Sequence, residues 1–309
     1  MLTRIAVTPR SLSIDGHPAL QALADAGWEV TFPTPGRQPT PAEQEEFLPE
    51  CAGYLAGVEP VPGDLLRRCR GLRVISRNGT GVDAIDLEAA AEMGIAVERT
   101  AGANAQGVAE LAIALMFAVV RHLAWSDAAV KAGTWKRRPG IEVRGRVLGV
   151  VGCGQIGRRV VEMGLGLGMV VRGHDQYPDP GFAPAGDFAW VPLEELLAAS
   201  HVVSLHCPPG PGPLIDAAAL ARMRRGSYLV NTARAALVDD AAVLAALGDG
   251  TLAGFATDVY AVEPPPLTEL LAHDKVVATP HAGGLTVESV ERATRGAVEN
   301  LLKVLGTRA

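Results

Sequence analysis

Three side chains near the ends of predicted strands have the types that a hydride-transfer reaction requires: Arg234, Glu263 and His281. A histidine can take a hydroxyl proton near neutral pH. A neighbouring carboxylate can fix the tautomer of that histidine, and an arginine can form a bidentate pair with a substrate carboxylate. By residue type alone, Arg234 could instead form an ion pair, Glu263 could be a solvated loop acid, and His281 could cap a strand.

A glycine-rich turn gives the second chemical signal. Gly152, Gly154 and Gly157 follow the apolar run 147–151, and a helical pattern begins within the turn. Such glycines permit a tight turn, approach of the backbone to a pyrophosphate, and close packing of helix on strand. Asp175 lies about 20 residues further on, where a carboxylate can accept the ribose hydroxyls of an adenosine. The pattern predicts a dinucleotide site, with a purely structural turn as the alternative.

Strand and helix patterns alternate along the chain, which predicts an α/β fold with two doubly wound parallel-sheet domains. We expect a flavodoxin-like substrate-binding domain formed by residues 1–101 plus 286–309. An inserted Rossmann domain that binds the cofactor is expected over residues 102–285. Ligands collect beyond the carboxyl ends of parallel strands, and the polar residues discussed above follow such ends.

Two helices and one turn complete the predicted framework. A long apolar helix is expected from Asn104, a candidate N-cap, to about Trp125. A helix over 287–305 has one apolar face and is expected to pack on the first domain. The turn over 78–81 contains two glycines and follows the fourth predicted strand. It could therefore point several backbone N–H groups at one ligand.

Composition limits the possible partners and the cellular compartment. The net charge of −6 argues against a general nucleic-acid or anionic-membrane surface. The cysteines show no CxxC pair and no Cys/His metal-ligand spacing, so we expect reduced thiols in a cytoplasmic protein without a metal site. These cysteines are Cys51, Cys69, Cys153 and Cys207. The longest apolar stretch, 111–120, is too short to span a bilayer.

Five motifs together resemble those of the D-isomer-specific 2-hydroxyacid dehydrogenases, and within them the D-3-phosphoglycerate dehydrogenases. They are residues 77–86, the glycine-rich loop 152–157, and the segments 231–234, 258–264 and 279–284. The resemblance covers almost the whole chain. It implies an NAD-dependent oxidoreductase that interconverts a D-2-hydroxy acid and its 2-oxo acid by hydride transfer, and a homodimer built on the cofactor domain.

The resemblance also implies roles for individual residues. Arg234 would bind and polarise the 2-oxo acid, His281 would be the acid/base, and Glu263 would pair with His281. The implied cofactor contacts are Gly152, Gly154, Gln155, Ile156, Gly157, Asp175, His206, Cys207, Pro208, Thr232, Ala233, Asp258, His281 and Gly283. The implied substrate contacts are Asn78, Gly79, Thr80, Gly81 and Arg234. Because no Arg closely follows Asp175, NAD is expected rather than NADP.

Three departures from the family pattern bear on the substrate and the cofactor. Ala56 and Gly57, followed by Glu59, stand where phosphoglycerate dehydrogenases often carry an Arg-Ser pair, which argues against a phosphorylated substrate. The segment 209–213 lacks a hydroxyl residue that usually lines the cofactor site, so cofactor affinity is affected. Ala235 replaces a common glycine, which is harmless or tightens the turn. The printed sequence suggests a short form without a C-terminal regulatory domain.

Three alternatives stay open from the sequence. One is a glyoxylate or hydroxypyruvate reductase within the same family. Another is a catalytically silent NAD(H)-sensing binding protein, similar to the transcriptional corepressors that use this fold. The third is a formate dehydrogenase, although that branch places Gln where Glu263 stands here.

Overall fold

Strands and helices alternate throughout residues 2–308, the part of the chain that this computed structural model describes. The chain divides into two units. Unit 1 runs to Asn104 and resumes at Gly284, whereas unit 2 is Ala105–Gly283. The predicted boundaries were 101/102 and 285/286. Each unit contains one parallel sheet, of five strands in unit 1 and seven in unit 2, and the predicted fold class is confirmed.

All the ladders in both sheets are parallel. The strands are β1 (Arg4–Val7), β2 (Glu29–Thr31), β3 (Cys51–Ala56), β4 (Val74–Arg77), β5 (Ala96–Arg99), β6 (Val147–Val151), β7 (Val170–His174), β8 (Phe188–Trp190), β9 (Val202–Leu205), β10 (Ser227–Asn231), β11 (Leu252–Thr257) and β12 (Val276–Ala278).

Helices connect most pairs of successive strands, as is usual for parallel pairing, whereas a loop joins β7 to β8. They are α1 (Arg10–Ser13), α2 (Gln21–Asp25), α3 (Pro41–Phe47), α4 (Gly63–Leu66), α5 (Leu87–Glu92), α6 (Ala105–Val120), α7 (Leu123–Lys131), α8 (Gln155–Gly166), α9 (Leu193–Ala199), α10 (Ala217–Arg222), α11 (Asp240–Asp249), α12 (Glu269–Ala272) and α13 (Val287–Leu305). Short 3₁₀ helices cover Pro18–Leu20, Leu48–Glu50 and Ala235–Leu237.

The sheet of unit 1 has the order β2-β1-β3-β4-β5, which is the flavodoxin-like order. Its switch point, where the strand order reverses, lies between β1 and β3. Alternate residues of β1 enter separate apolar clusters, with Ile5 and Val7 in one and Ala6 in the other. The sheet is therefore covered on both faces. Helix α13 supplies part of one cover through Ala297 and Leu301.

The sheet of unit 2 has the order β12-β11-β10-β9-β6-β7-β8. Six of these strands follow the Rossmann order, with the switch point between β6 and β9, and β12 extends one edge. Strand β8 was not predicted from the sequence. It has three residues, too few for a periodic signal, and it pairs in parallel with β7.

The prediction of one helix from Asn104 to Trp125 is wrong at its C-terminal end. Helix α6 ends at Val120, and α7 starts after His122, whose φ of 53° leaves the right-handed helical region. The Ile141 N–H donates to the Val120 carbonyl at 3.2 Å, so a later segment caps the end of α6. Within residues 2–308, no single helix has both the length and the apolar character to cross a membrane, and only the pair α6–α7, bent by 63°, meets those criteria together.

Candidate active site

The glycine-rich loop joins β6 to α8, and its three glycines have different surroundings. Gly152 has a φ of 88°, and a Cβ there would lie 2.5 Å from the Cys207 backbone nitrogen. A Cβ at Gly157 would lie 1.9 Å from the Gly152 carbonyl oxygen. A Cβ at Gly154, in contrast, would meet no atom within 4 Å. The first and third glycines are therefore required by packing, whereas the second faces open space.

The N-terminus of α8 borders that open space. Gly154 is its N-cap and offers no side chain to the first N–H groups of the helix, which include those of Gln155 and Ile156. A cavity of about 500 Å³ is lined by Gln106, Gly154, Gln155, Arg158, Arg159 and Glu162. The uncapped N–H groups, the positive end of the helix dipole and two guanidinium groups suit this cavity to an anion such as a pyrophosphate.

Asp175 ties the end of β7 to the glycine-rich loop. Its Oδ2 accepts a hydrogen bond from the Cys153 N–H at 2.7 Å, and its Oδ1 accepts one from the Tyr177 N–H at 2.9 Å. Each carboxylate oxygen has two lone pairs. Each Asp175 oxygen therefore retains one for a ribose hydroxyl.

Arg158 was not predicted as a site residue, although it lies in the same region. Its Nε donates to the Cys153 carbonyl at 3.0 Å, and its Nη2 lies 2.8 Å from Oδ2 of Asp179. The Phe182 ring centroid is 4.9 Å from the Arg158 guanidinium carbon. Cys153 is inert by comparison, because burial raises the pKa of its thiol to about 12.

His206 follows β9 and is unsuited to proton transfer. Its Nε2 lies 2.8 Å from the Ser204 hydroxyl, whereas its Nδ1 is buried without a partner in the described part of the chain. Although some of the residue is accessible, burial of the ring lowers the pKa of His206 to about 3. The imidazole is therefore neutral at pH 7. Two further predicted cofactor contacts follow His206 in the chain: Cys207 is half-buried and Pro208 is exposed.

The turn after β10 positions Arg234. The Asn231 side chain accepts from the Ala233 N–H at 3.0 Å and donates to the Arg234 carbonyl at 2.8 Å. The half-buried guanidinium of Arg234 donates to the Ala233 carbonyl at 2.7 Å. Thr232 in the same turn has a buried hydroxyl with no partner among residues 2–308. Ala235 begins a 3₁₀ helix and does not have a positive φ, so alanine fits this backbone.

Asp258 binds the segment that carries His281. Its carboxylate accepts hydrogen bonds from the Thr279 hydroxyl at 2.7 Å, the Ala282 N–H at 2.7 Å and the Gly283 N–H at 2.8 Å. The side chain is only 2% exposed. These three bonds fix the backbone on both sides of His281. The sequence did not indicate this contact.

The side chains of Glu263 and His281 are in direct contact in unit 2. Oε1 of Glu263 lies 2.7 Å from Nδ1 of His281, and both side chains are partly exposed. His281 has a φ of 52°, a conformation that costs energy for a residue with a Cβ and is common at functional sites. Because Nδ1 faces the carboxylate, Nε2 is the ring atom available to a ligand.

The turn after β4 in unit 1 contains the remaining predicted residues. The Asn78 N–H donates to the Ala56 carbonyl at 3.0 Å, and the Thr80 hydroxyl donates to Oδ1 of Asn104 at 3.0 Å. Gly79 has a φ of 152°, and its carbonyl accepts from Thr100. The N–H groups of Thr80 and Gly81 have no acceptor within residues 2–308. These two groups are available for an anionic ligand.

A metal centre is not indicated by the side chains of either unit. Residues 2–308 contain no group of three or more His, Cys, Asp or Glu residues arranged to hold a metal ion.

Comparison with known proteins identifies relatives that match about four fifths of the chain or more. Residues 113–283 match the family model described as D-isomer specific 2-hydroxyacid dehydrogenase, NAD binding domain. The D-3-phosphoglycerate dehydrogenase of Sus scrofa is 35% identical over 79% of this chain and 47% of its own length. This chain thus spans about half the length of the D-3-phosphoglycerate dehydrogenases that it matches.

Two further proteins match over most of their own length. The hydroxypyruvate reductase of Thermotoga maritima is 36% identical over 80% of this chain and 82% of its own. The crystal structure of the TT0316 protein from Thermus thermophilus superposes with a TM-score of 0.89 and 37% identity, covering 99% of this chain and 97% of that one. The chain is therefore similar in sequence to all three proteins, and in fold to the Thermus thermophilus protein.

Proposed function

This chain belongs to the D-isomer specific 2-hydroxyacid dehydrogenase family, as its sequence motifs predicted, and we propose that it is an NAD-dependent oxidoreductase. The proposed reaction interconverts a D-2-hydroxy acid and its 2-oxo acid. The observation that carries the proposal is the 2.7 Å contact between Glu263 and His281. This pair supplies the base that hydride transfer from a hydroxy acid needs.

The proposed acid/base is His281. Nicotinamide chemistry supplies or accepts the hydride when NAD is bound. In the oxidative direction, Nε2 of His281 takes the proton of the substrate hydroxyl; in reduction, it returns a proton to the carbonyl oxygen. The Glu263 carboxylate holds Nδ1–H, which keeps Nε2 free to accept the proton, and stabilises the imidazolium that forms.

Arg234 is the proposed substrate-binding cation of unit 2, where it orients the 2-oxo acid and polarises its carbonyl. In unit 1, the N–H groups of Thr80 and Gly81 are the proposed donors to the substrate carboxylate, with Asn78 and Gly79 shaping the turn. The N–H groups of Thr80 and Gly81 have no acceptor within residues 2–308, which supports this assignment.

Unit 2 contains the NAD-binding domain of the family. We assign the pyrophosphate to Gly154 and the N-terminus of α8, and the adenosine ribose to Asp175. Preference for NAD over NADP is proposed because the Asp175 carboxylate would repel a 2′-phosphate. The remaining predicted contacts are proposed to line the nicotinamide end: His206, Cys207, Pro208, Thr232, Ala233, Asp258 and Gly283.

A screen of NADH oxidation with glyoxylate, hydroxypyruvate, pyruvate and bulkier 2-oxo acids tests the proposal. We expect turnover of at least one acid, and a loss of about 10²–10⁴-fold in kcat for His281→Ala with NADH affinity retained. A His281→Ala enzyme with wild-type kcat would contradict the acid/base assignment. Tight NADH binding without turnover of any acid would instead favour the NAD(H)-sensing alternative.

A hydroxypyruvate reductase is the second candidate within this chemistry, supported by the Thermotoga maritima relative. Comparison of kcat/KM for hydroxypyruvate with that for the other acids tests it. A preference for a different acid by more than about tenfold would exclude hydroxypyruvate as the main substrate.

We also propose a cytoplasmic homodimer. Three of the four cysteines are buried thiols and none is in a disulfide, which suits a reducing compartment. In unit 2, the large apolar side chains of Leu123, Val130 and Trp135 are 52%, 58% and 79% exposed, and a second copy would cover them. Light scattering should give twice the mass of the 32.2 kDa chain, and a monomer at micromolar concentration would contradict the dimer.

A further inference from the structure

A buried carboxylate in unit 1 has no role in the proposed reaction so far. Glu59 is only 2% exposed, and no ion pair within residues 2–308 includes it. Three donors converge on its Oε1: the hydroxyls of Thr8 and Tyr54 and the Gly57 N–H, the last at 2.9 Å. A hydroxyl, a phenol and a backbone amide thus all donate to one buried carboxylate oxygen.

The Tyr54 hydroxyl acts as a hydrogen-bond donor in this cluster. Burial, and then the nearby Glu59 charge, raise the pKa of the Tyr54 phenol well above its ordinary value, so the phenol keeps its proton. The glycine at 57 is required for the contact, because a Cβ there would lie 2.5 Å from Oε2 of Glu59. The hydroxyl, phenol and amide donors are thus arranged around one anion.

The position of this cluster in the sheet gives it functional meaning. Thr8 directly follows β1 and Gly57 directly follows β3, and the switch point of unit 1 lies between these two strands. Ligands of open parallel sheets bind in the crevice outside the carboxyl ends of the strands at that point. Ala56 also accepts the Asn78 N–H, which connects the cluster to the turn proposed for the substrate carboxylate.

We propose that Glu59 is a specificity-determining residue. Its own carboxylate fills a position in which an anionic group of a ligand could otherwise bind. The Gly57 N–H, which could otherwise bind an anionic group of a ligand, donates to Glu59 instead. The negative charge of Glu59 opposes a second anion nearby. The substrate class is therefore a 2-oxo acid whose side chain carries no negative charge. This inference rests on the proposed dehydrogenase function.

Two size-matched substrates test the inference: oxaloacetate, whose side chain is a carboxylate, and 2-oxosuccinamate, whose side chain is the corresponding amide. We expect the wild-type kcat/KM to favour the amide by at least about tenfold. Glu59→Gln keeps the size of the side chain and removes its charge, so it should reduce that ratio by about tenfold. Hydroxypyruvate and 3-phosphohydroxypyruvate should show the same change.

Thr8→Val is the matched control, because it removes one donor to Glu59 and leaves the charge in place. A purely structural role of the cluster would alter both variants equally and change kcat/KM for both substrates by the same factor. An unchanged ratio in folded Glu59→Gln would overturn the inference. If that variant fails to fold, the wild-type ratio decides, and a preference for oxaloacetate overturns the inference. Lack of turnover with every 2-oxo acid would instead overturn the proposed function.

Discussion

The imidazole of His281 and the carboxylate of Glu263 meet at 2.7 Å although the residues lie 18 positions apart, on the loops that follow β12 and β11. Neighbouring parallel strands bring their carboxyl ends to one edge, and β11 pairs directly with β12. The sheet therefore brings the base and its orienting acid together.

Replacement of Glu263 tests the consequence of this contact. Glu263→Gln keeps a hydrogen-bonding oxygen but loses the charge that stabilises an imidazolium, so we expect kcat to fall about a hundredfold. Steady-state assays with NADH and the best 2-oxo acid measure this. NADH affinity, followed by fluorescence titration, should stay at the wild-type value. A kcat within a factor of two of the wild type would show that Glu263 does not assist His281.

Asp258 gives a second prediction, because three donors converge on its carboxylate. Asp258→Asn replaces one acceptor oxygen with an NH₂ donor, which leaves at least one backbone N–H unpaired. We expect a loss of about 1–3 kcal/mol in the free energy of unfolding, with a lower kcat because the His281 segment is released. Urea unfolding and kcat measure the two effects. Thr279→Val is the milder control, since it removes one donor and keeps the carboxylate.

Local sequence signals were enough to predict most of the fold. Buried parallel strands appear as short apolar runs, and the apolar run 147–151 coincides with β6. The helix over 287–305 coincides with α13, because its apolar face has helical spacing and Thr286 caps its first turn. The glycine-rich loop could also be predicted from a local signal, because three glycines within a few residues define the turn.

Contacts between distant segments could not be predicted in this way. Thr8 and Glu59 are 51 residues apart, and a threonine at a strand end gives no indication of a buried carboxylate partner. The break at His122 depends on a later segment that reaches the end of α6. The family resemblance assigned Asp258 to the cofactor, whereas its three hydrogen bonds to residues 279–283 are visible only in three dimensions.

Gly154 and Gly157 should respond differently to substitution by alanine. Gly157→Ala places a Cβ 1.9 Å from the Gly152 carbonyl, so we expect a stability loss of about 1–3 kcal/mol. Gly154→Ala adds a methyl group where no atom lies within 4 Å, so stability should change by less than about 1 kcal/mol. NADH affinity of Gly154→Ala should nevertheless fall at least about tenfold, because the methyl group takes the place of the pyrophosphate. Thermal unfolding and isothermal titration separate the two effects, and equal NADH affinity in Gly154→Ala and wild type would remove the pyrophosphate from this position.

His206 should make the stability of the protein depend on pH. Burial lowers the pKa of His206 from its ordinary 6.5 to about 3, so between these values the unfolded chain binds a proton that the folded chain does not. The free energy of unfolding therefore falls as the pH drops through this window, with a contribution of up to about 1.4 kcal/mol per pH unit. His206→Gln can keep the hydrogen bond to Ser204 and removes the titration, so its curve should be flatter between pH 6 and pH 4. Urea unfolding at half-unit pH intervals measures the free energy of unfolding of both proteins. The two curves should run parallel above pH 7.5. Equal slopes at low pH would show that another group causes the acid sensitivity.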